Sequence, residues 1–140
     1  MSLFNVMSIS STGMEAENVR LNTTASNIAN ANTVSSSYDQ TYRARHPVFA
    51  TELQQAMQDQ SKGAGVSVRG IVESDAPLQV EYAPHNPMAD ADGYIYKPNV
   101  NIVEEMANMM SASKAYETNV QVADTTKRIF RRVLQLGQGQ

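Results

Sequence analysis

The stretch from Asn99 to Gly137 limits what this chain can fold into more than any other. Reading every third or fourth residue gives Ile102, Met106, Met109, Ser113, Tyr116, Val120, Ala123, Lys127, Phe130 and Leu134. Apolar residues returning alternately after three and four positions line one face of a helix, and near-strict repeats form a coiled-coil seam. Uninterrupted, such a helix runs about 50 Å at a rise of roughly 1.5 Å per residue. A chain of 140 residues has no globule deep enough to enclose a rod of that length. The stripe therefore needs a partner, from elsewhere in the chain or from another molecule.

The amino-terminal stretch from Leu3 to Asn32 is the natural first partner. Met7, Met14, Leu21 and Ile28 recur every seven residues, with Leu3, Val6, Ala25 and Ala31 broadening the stripe. Thr12-Gly13-Met14-Glu15 has the form of a capping box, so the helix could start, restart or bend there. Gly13 inside a helix costs about 1 kcal/mol relative to Ala. The polar face is built from Asn18, Asn22, Thr23, Thr24, Ser26, Asn27, Asn30 and Asn32. Such side chains compete for their own backbone and form helices poorly, so this helix is expected to order fully only when packed. Hydrophobic residues make up 41% of the chain, with no Trp and three Phe, which leaves little material for a deep core. Two helices alone cover only narrow stripes of each other, and the remainder points to self-association or docking with other helices.

Between the helices the periodicity changes. Residues 34–50 begin as a serine-rich linker, and Tyr42-Arg43-Ala44-Arg45 before Pro47 reads as extended chain. Glu52 to Gln60 has the composition of a short helix, ended by the flexible run from Ser61 to Gly65. Val66, Val68, Gly70 and Val72 alternate with other residues, as do Leu78, Val80 and Tyr82 beyond Asp75-Ala76-Pro77, which predicts a β-hairpin. Tyr94-Ile95-Tyr96 reads as a short aromatic strand after the turn Asp90-Ala91-Asp92-Gly93. Asn101, with Glu104 three positions on, is placed to cap the long helix, and Gly137 to end it. The expected fold is mainly α: helices in 1–33 and 99–140 form a coiled-coil domain, and 34–98 is a small β-hairpin or extended insert.

No catalytic or metal-binding arrangement emerges. Asp90-Ala91-Asp92-Gly93, with His85 nearby, departs from a calcium loop: its glycine comes early, the third acidic ligand is missing and no glutamate closes twelve residues. Asp before Gly is ordinary turn chemistry. There is no nucleophile elbow, phosphate-cradling glycine loop or paired-histidine helix motif, so no catalytic residue, cofactor site or metal site is expected. Cysteine is absent, which removes disulfides and thiolate chemistry. A net charge of −3 offers no general attraction to nucleic acid. The basic run Lys127, Arg128, Arg131 and Arg132 sits where positive charge favours a helix carboxy terminus. The first residues lack a basic n-region and a continuous apolar stretch, so neither a cleavable signal nor a membrane span is expected. Taken alone, that reads as cytosolic.

Certain residues resemble a known family. Asn27-Ile28-Ala29-Asn30, followed by Thr33, resembles the Asn-Ile-Ala-Asn-x-x-Thr signature near the amino termini of bacterial flagellar rod and hook proteins. Asp90-Ala91-Asp92-Gly93-Tyr94, then Pro98-Asn99-Val100-Asn101 and Glu104-Glu105-Met106, is similar to the proximal-rod members of that family. Ser111 to Val120 resembles its carboxy-terminal helix pattern, in which an aromatic-x-x-Asn element recurs. The resemblance implies helical termini packed in the inner layer of a tubular axial assembly, and no catalysis. It implies a structural subunit of the basal-body rod, which transmits torque and surrounds the export channel. It further implies delivery by the flagellar type III export apparatus without a cleaved signal. The implied neighbours are self-copies, other proximal rod subunits, the distal rod protein and the basal-body adaptor. The interface expected to carry assembly is Met7, Met14, Leu21, Ile28, Ile102, Met106, Met109, Tyr116, Val120, Ala123, Phe130 and Leu134. The competing reading is a cytosolic helical adaptor that binds one partner helix.

Overall fold

The computed structural model describes residues 2–51 and 64–138. Its elements are α1 (Leu3–Asn30), β1 (Arg45–Thr51), β2 (Val66–Glu73), β3 (Gln79–Tyr82), β4 (Tyr94–Lys97) and α2 (Ile102–Gln138). Two long helices thus bracket a small strand insert. The stretch Glu52–Gln60, expected to be a short helix, and most of the run that follows it lie outside the described residues.

α1 is unbroken through Gly13. Thr12 does not cap a new helix there. Its hydroxyl donates to the Ile9 carbonyl (2.8 Å) and accepts from the Val66 backbone N–H (3.2 Å), so it ties α1 to β2 instead. α2 begins as expected: Asn101 Oδ1 accepts from the Val103 and Glu104 backbone N–H groups at 3.1 and 3.5 Å. These are donors that a helix start leaves without a partner of its own. At its other end α2 continues through Gly137 to Gln138, so the glycine does not stop it.

The strands pair β1 with β2 and β3 with β4, in two separate two-stranded sheets. The hairpin predicted between Val66–Val72 and Leu78–Tyr82 does not form. Its connecting segment is drawn elsewhere: Ser74 N–H donates to the Ala44 carbonyl (2.7 Å), and Asn99 Nδ2 donates to the carbonyls of Ser74 and Ala76. β3 then finds β4 in antiparallel register, Val80 opposite Tyr96 and Tyr82 opposite Tyr94. Alternation identifies a strand but says nothing of which strand completes its ladder. β4 is also bridged on its other side, where Ser35 and Tyr96 exchange both backbone hydrogen bonds.

Two compact units share these elements. One gathers the described residues of Met1–Val19, Val48–Gly70 and Ser111–Gln140; the other is Arg20–Pro47 with Ile71–Met110. In the first, Phe4 meets Phe130 edge-on with ring centroids 5.3 Å apart, and Gly13 lies against Asn119. Partner numbers fall as α1 advances, so the helices there run antiparallel. In the second, Leu78, Ile95, Val100 and Pro98 are buried around the β3–β4 pair, and Arg20 Nη2 donates to Asn108 Oδ1 (3.3 Å). Among the described residues the buried apolar set is Ala16, Ala44, Leu78, Ile95, Val100 and Ala112, half of it alanine. That core is thin for the helices it must hold.

Candidate assembly surface and the asparagine clamp

In the second unit, two carboxamides hold the chain that enters β1. Asn27 is fully buried, yet each of its polar atoms is used. Its Oδ1 accepts from Arg45 N–H (2.9 Å) and the Tyr42 hydroxyl (2.8 Å), and its Nδ2 donates to the Arg45 carbonyl (2.8 Å). A side-chain amide reproduces a peptide's donor and acceptor, so Asn27 pairs with Arg45 as a neighbouring strand would. Asn99 acts on the preceding residue: its Oδ1 accepts from Ala44 N–H (2.8 Å) while its Nδ2 takes the two carbonyls of the 74–76 turn. Ala44 and Arg45 are thereby fixed to both the end of α1 and the segment before α2. Arg45 also grips Glu73 Oε1 through Nε and Nη2 and lies over the Tyr42 ring.

The Asp90 turn is built on the same economy. Asp90 Oδ1 accepts from the backbone N–H groups of Tyr94 (2.8 Å) and Asp92 (3.0 Å), and Oδ2 from the Tyr96 hydroxyl (3.2 Å). The Tyr94 N–H, the strongest of these influences, holds the Asp90 carboxyl below its usual value. The hydrogen bond that the Tyr96 hydroxyl gives Asp90 pushes the Tyr96 phenol up. Gly93 sits at φ +85°, a left-handed conformation that side chains resist, and an added Cβ would meet the Tyr82 ring at 3.0 Å. Among the described residues no group of three or more acidic or histidine side chains is placed to hold a metal. The Asp90 carboxylate is spent on its own turn.

The helix stripes divide between two directions. Ile102, Met109, Ala123 and Phe130 are half-buried and Tyr116 lies at the boundary, whereas Met106, Val120 and Leu134 are exposed, as are Ser113 and Lys127. The inward positions alternating with the first set fall one residue earlier than the expected stripe, at Glu105, Ala112, Asn119 and Thr126. On α1 the inward line likewise runs through Gly13, Arg20 and Asn27, leaving Met14, Leu21 and Ile28 half-buried and Met7 exposed. The chain's internal seam is thus the small and polar one. Its apolar stripe lies at the margin of that seam, half-buried at some positions and exposed at others. Glu105 makes this plain: it is only 3% exposed, and its Oε2 finds no hydrogen-bond partner among the described residues.

Of the residues singled out by resemblance, Asn27, Asn99, Asp90, Gly93 and the fully buried Pro98 meet in the second unit as structural parts. Asn30 is half-buried, donating to the Ser26 carbonyl, while Ala29 and Asp92 lie exposed. Their counterparts Tyr42, Ala44 and Arg45 carry no motif; the sequence marks them as extended chain but not as the partners of these asparagines. The seven-residue spacing of Glu105, Ala112, Asn119 and Thr126 is visible in the sequence, but hydrophobicity points away from it.

Known proteins match this chain along its length. Residues 7–34 match the flagella basal body rod protein family, and residues 91–136 match the carboxy-terminal family of flagellar basal body rod FlgEFG proteins. The flagellar basal-body rod protein FlgC of Salmonella typhimurium is 44% identical over 138 residues, covering 99% of this chain and 100% of the relative. FlgC of Escherichia coli O6:H1 is likewise 44% identical over the same extent. FlgC of Borreliella burgdorferi is 36% identical over 152 aligned positions, again covering 99% of this chain and 100% of the relative.

Proposed function

The chain belongs to the FlgC family of flagellar basal-body rod proteins, and from that premise we propose that it is a rod subunit whose outward helix faces are completed by its neighbours. It is a structural protein of the flagellar basal body and not an enzyme. The observation that carries the reading is the division of the stripes: a polar internal seam, a thin core and apolar side chains left at the surface of α2. Exposed apolar area on the order of that left by Met106, Val120, Ile129 and Leu134 is stabilised only when something covers it.

In this reading the two helices act as a coiled-coil domain within the proximal rod, with 34–98 an insert that locks lateral contacts. Neighbours are other copies, other proximal rod subunits, the distal rod protein and the basal-body adaptor. The assembled tube transmits torque and surrounds the export channel. No helix among the described residues is long and apolar enough to cross a membrane. Delivery is by the flagellar type III export apparatus without a cleaved signal, and marginal helices suit that route because they order late, on assembly.

The test is complementation of a strain lacking its own FlgC, followed by purification of basal bodies and identification of this chain within them. Recovery in the rod fraction with restored swimming is expected. A chain that stays in the cytoplasm as a cooperatively melting helical monomer would instead support the adaptor reading.

A further inference from the structure

We infer that the carboxy-terminal end of α2 lies on an anionic lipid surface in the chain not yet covered by neighbours. Its apolar side enters the acyl boundary and its basic side meets the headgroups. The inference goes beyond the rod assignment and does not rest on it. α2 outruns the helix that it packs on. α1 begins at Leu3 and its Phe4 already meets Phe130, so about two turns of α2 pass beyond α1. Every residue from Arg131 to Gly137 is exposed.

Over this end of the helix, charge and hydrophobicity separate. At about 3.6 residues per turn, Lys127, Arg128, Arg131 and Arg132 share one side, and Ile129, Phe130, Val133, Leu134 and Leu136 share the other. Of the apolar set only Phe130 is half-buried, against Phe4, while Leu136 is 79% exposed. The helix dipole does not account for the cations. It acts within the last turn, and because α2 continues to Gln138 that turn holds no basic residue. Ion pairing does not account for them either. No acidic residue follows Asp124, and among the described residues only Arg128 of the four is paired, to Asp124 at 3.3 Å. A basic arc beside an apolar arc fits the boundary of a bilayer with negative headgroups. Long basic side chains reach the headgroups from beside the apolar arc, and one charged surface meets all four together. A protein segment would need acids placed to match each of them. The chain as a whole carries −3, which confines the attraction to this end.

The chain has no cysteine, so a single introduced thiol carries a solvatochromic dye at one known place. The full chain labelled at Val133→Cys, or at the exposed Gln121→Cys as control, is mixed with phosphatidylglycerol-containing vesicles or with phosphatidylcholine vesicles. Binding to the anionic vesicles is expected to be tighter by about tenfold or more. The dye at position 133 should shift to the blue on binding, and the dye at 121 should not. Arg131→Glu with Arg132→Glu should abolish both binding and shift, whereas Arg131→Lys with Arg132→Lys should keep them. Equal binding to the two kinds of vesicle, binding to neither, or a shift at 121 as large as at 133 would overturn the inference. So would binding that survives the glutamate pair. Capture of polyglutamate without a vesicle-induced shift at 133 would overturn it in favour of an acidic protein segment. Recovery of the chain in basal bodies is read separately, so the rod assignment stands or falls independently of these results.

Discussion

Asn27 is where a single side chain does most. It satisfies the N–H and C=O of Arg45 and the Tyr42 hydroxyl from a fully buried position. Asn27→Ala strips these partners and leaves buried polar groups unpaired, each costing about 1–3 kcal/mol. Urea unfolding of that variant should show the loss, and hydrogen exchange should localise it to residues 42–45; unchanged exchange at Arg45 would refute the clamp. Gly13 is a second such position. A Cβ there would lie 2.8 Å from Asn119 Nδ2, so the helix gain of about 1 kcal/mol expected for Gly13→Ala is withheld. It should appear only when Asn119→Ala is made as well, and a double-mutant cycle measures the difference. Asp90 supplies a pH dependence. Its folded carboxyl lies below the ordinary value of 3.8, so its contribution is present above that value and lost as pH falls through the folded midpoint. A carboxyl-resolved NMR titration should place the midpoint below 3.8, and a midpoint at or above it would remove Asp90 from the turn's support.

For the helices, inward and outward substitutions should separate. Ala112 is completely buried, and Ala112→Leu should overpack the seam at a cost of about 1–3 kcal/mol in the isolated chain. Val120 faces out, so Val120→Asp should leave the isolated chain's stability within about 0.5 kcal/mol. The same variant should abolish incorporation and swimming while permitting secretion. Equal stability loss in both variants, read from chemical melts, would erase the distinction between the two faces. Ser113 and Lys127 look like flaws if one stripe is expected to serve as the seam. They are exposed, and the line one residue earlier takes that place.

As a whole, the chain buries little of its apolar material. Half of its buried apolar set is alanine, while Met106, Met110, Ile129, Val133 and Leu134 remain at the surface. Purified and dilute, it should show less helix by circular dichroism than α1 and α2 together require, rising on assembly or crowding. Full helicity with cooperative melting at micromolar concentration would count against late ordering. Removing residues 2–20 deletes Gly13, the contact for Asn119, and the Phe4 ring that meets Phe130. Export or assembly should stop, and normal flagella from that variant would take α1 out of the account.

Spacing and capping residues determined that there are two long helices, where α2 is capped, and that strands lie between them, one at Tyr94–Tyr96. These are local properties, set by spacing and by backbone hydrogen-bonding preferences that neighbours do not alter. Resemblance added the family, because its motif residues are Asn, Asp, Gly and Pro, whose backbone roles leave a recognisable trace. The pairing of β2 and β3 and the phase of the seam were decided only in three dimensions. Strand alternation is satisfied by any partner, and Asn99 with Ala44 pulled the turn away from a hairpin. The seam follows close approach rather than hydrophobicity, since Gly13 lets Asn119 in. The apolar line one residue later is thereby left partly exposed.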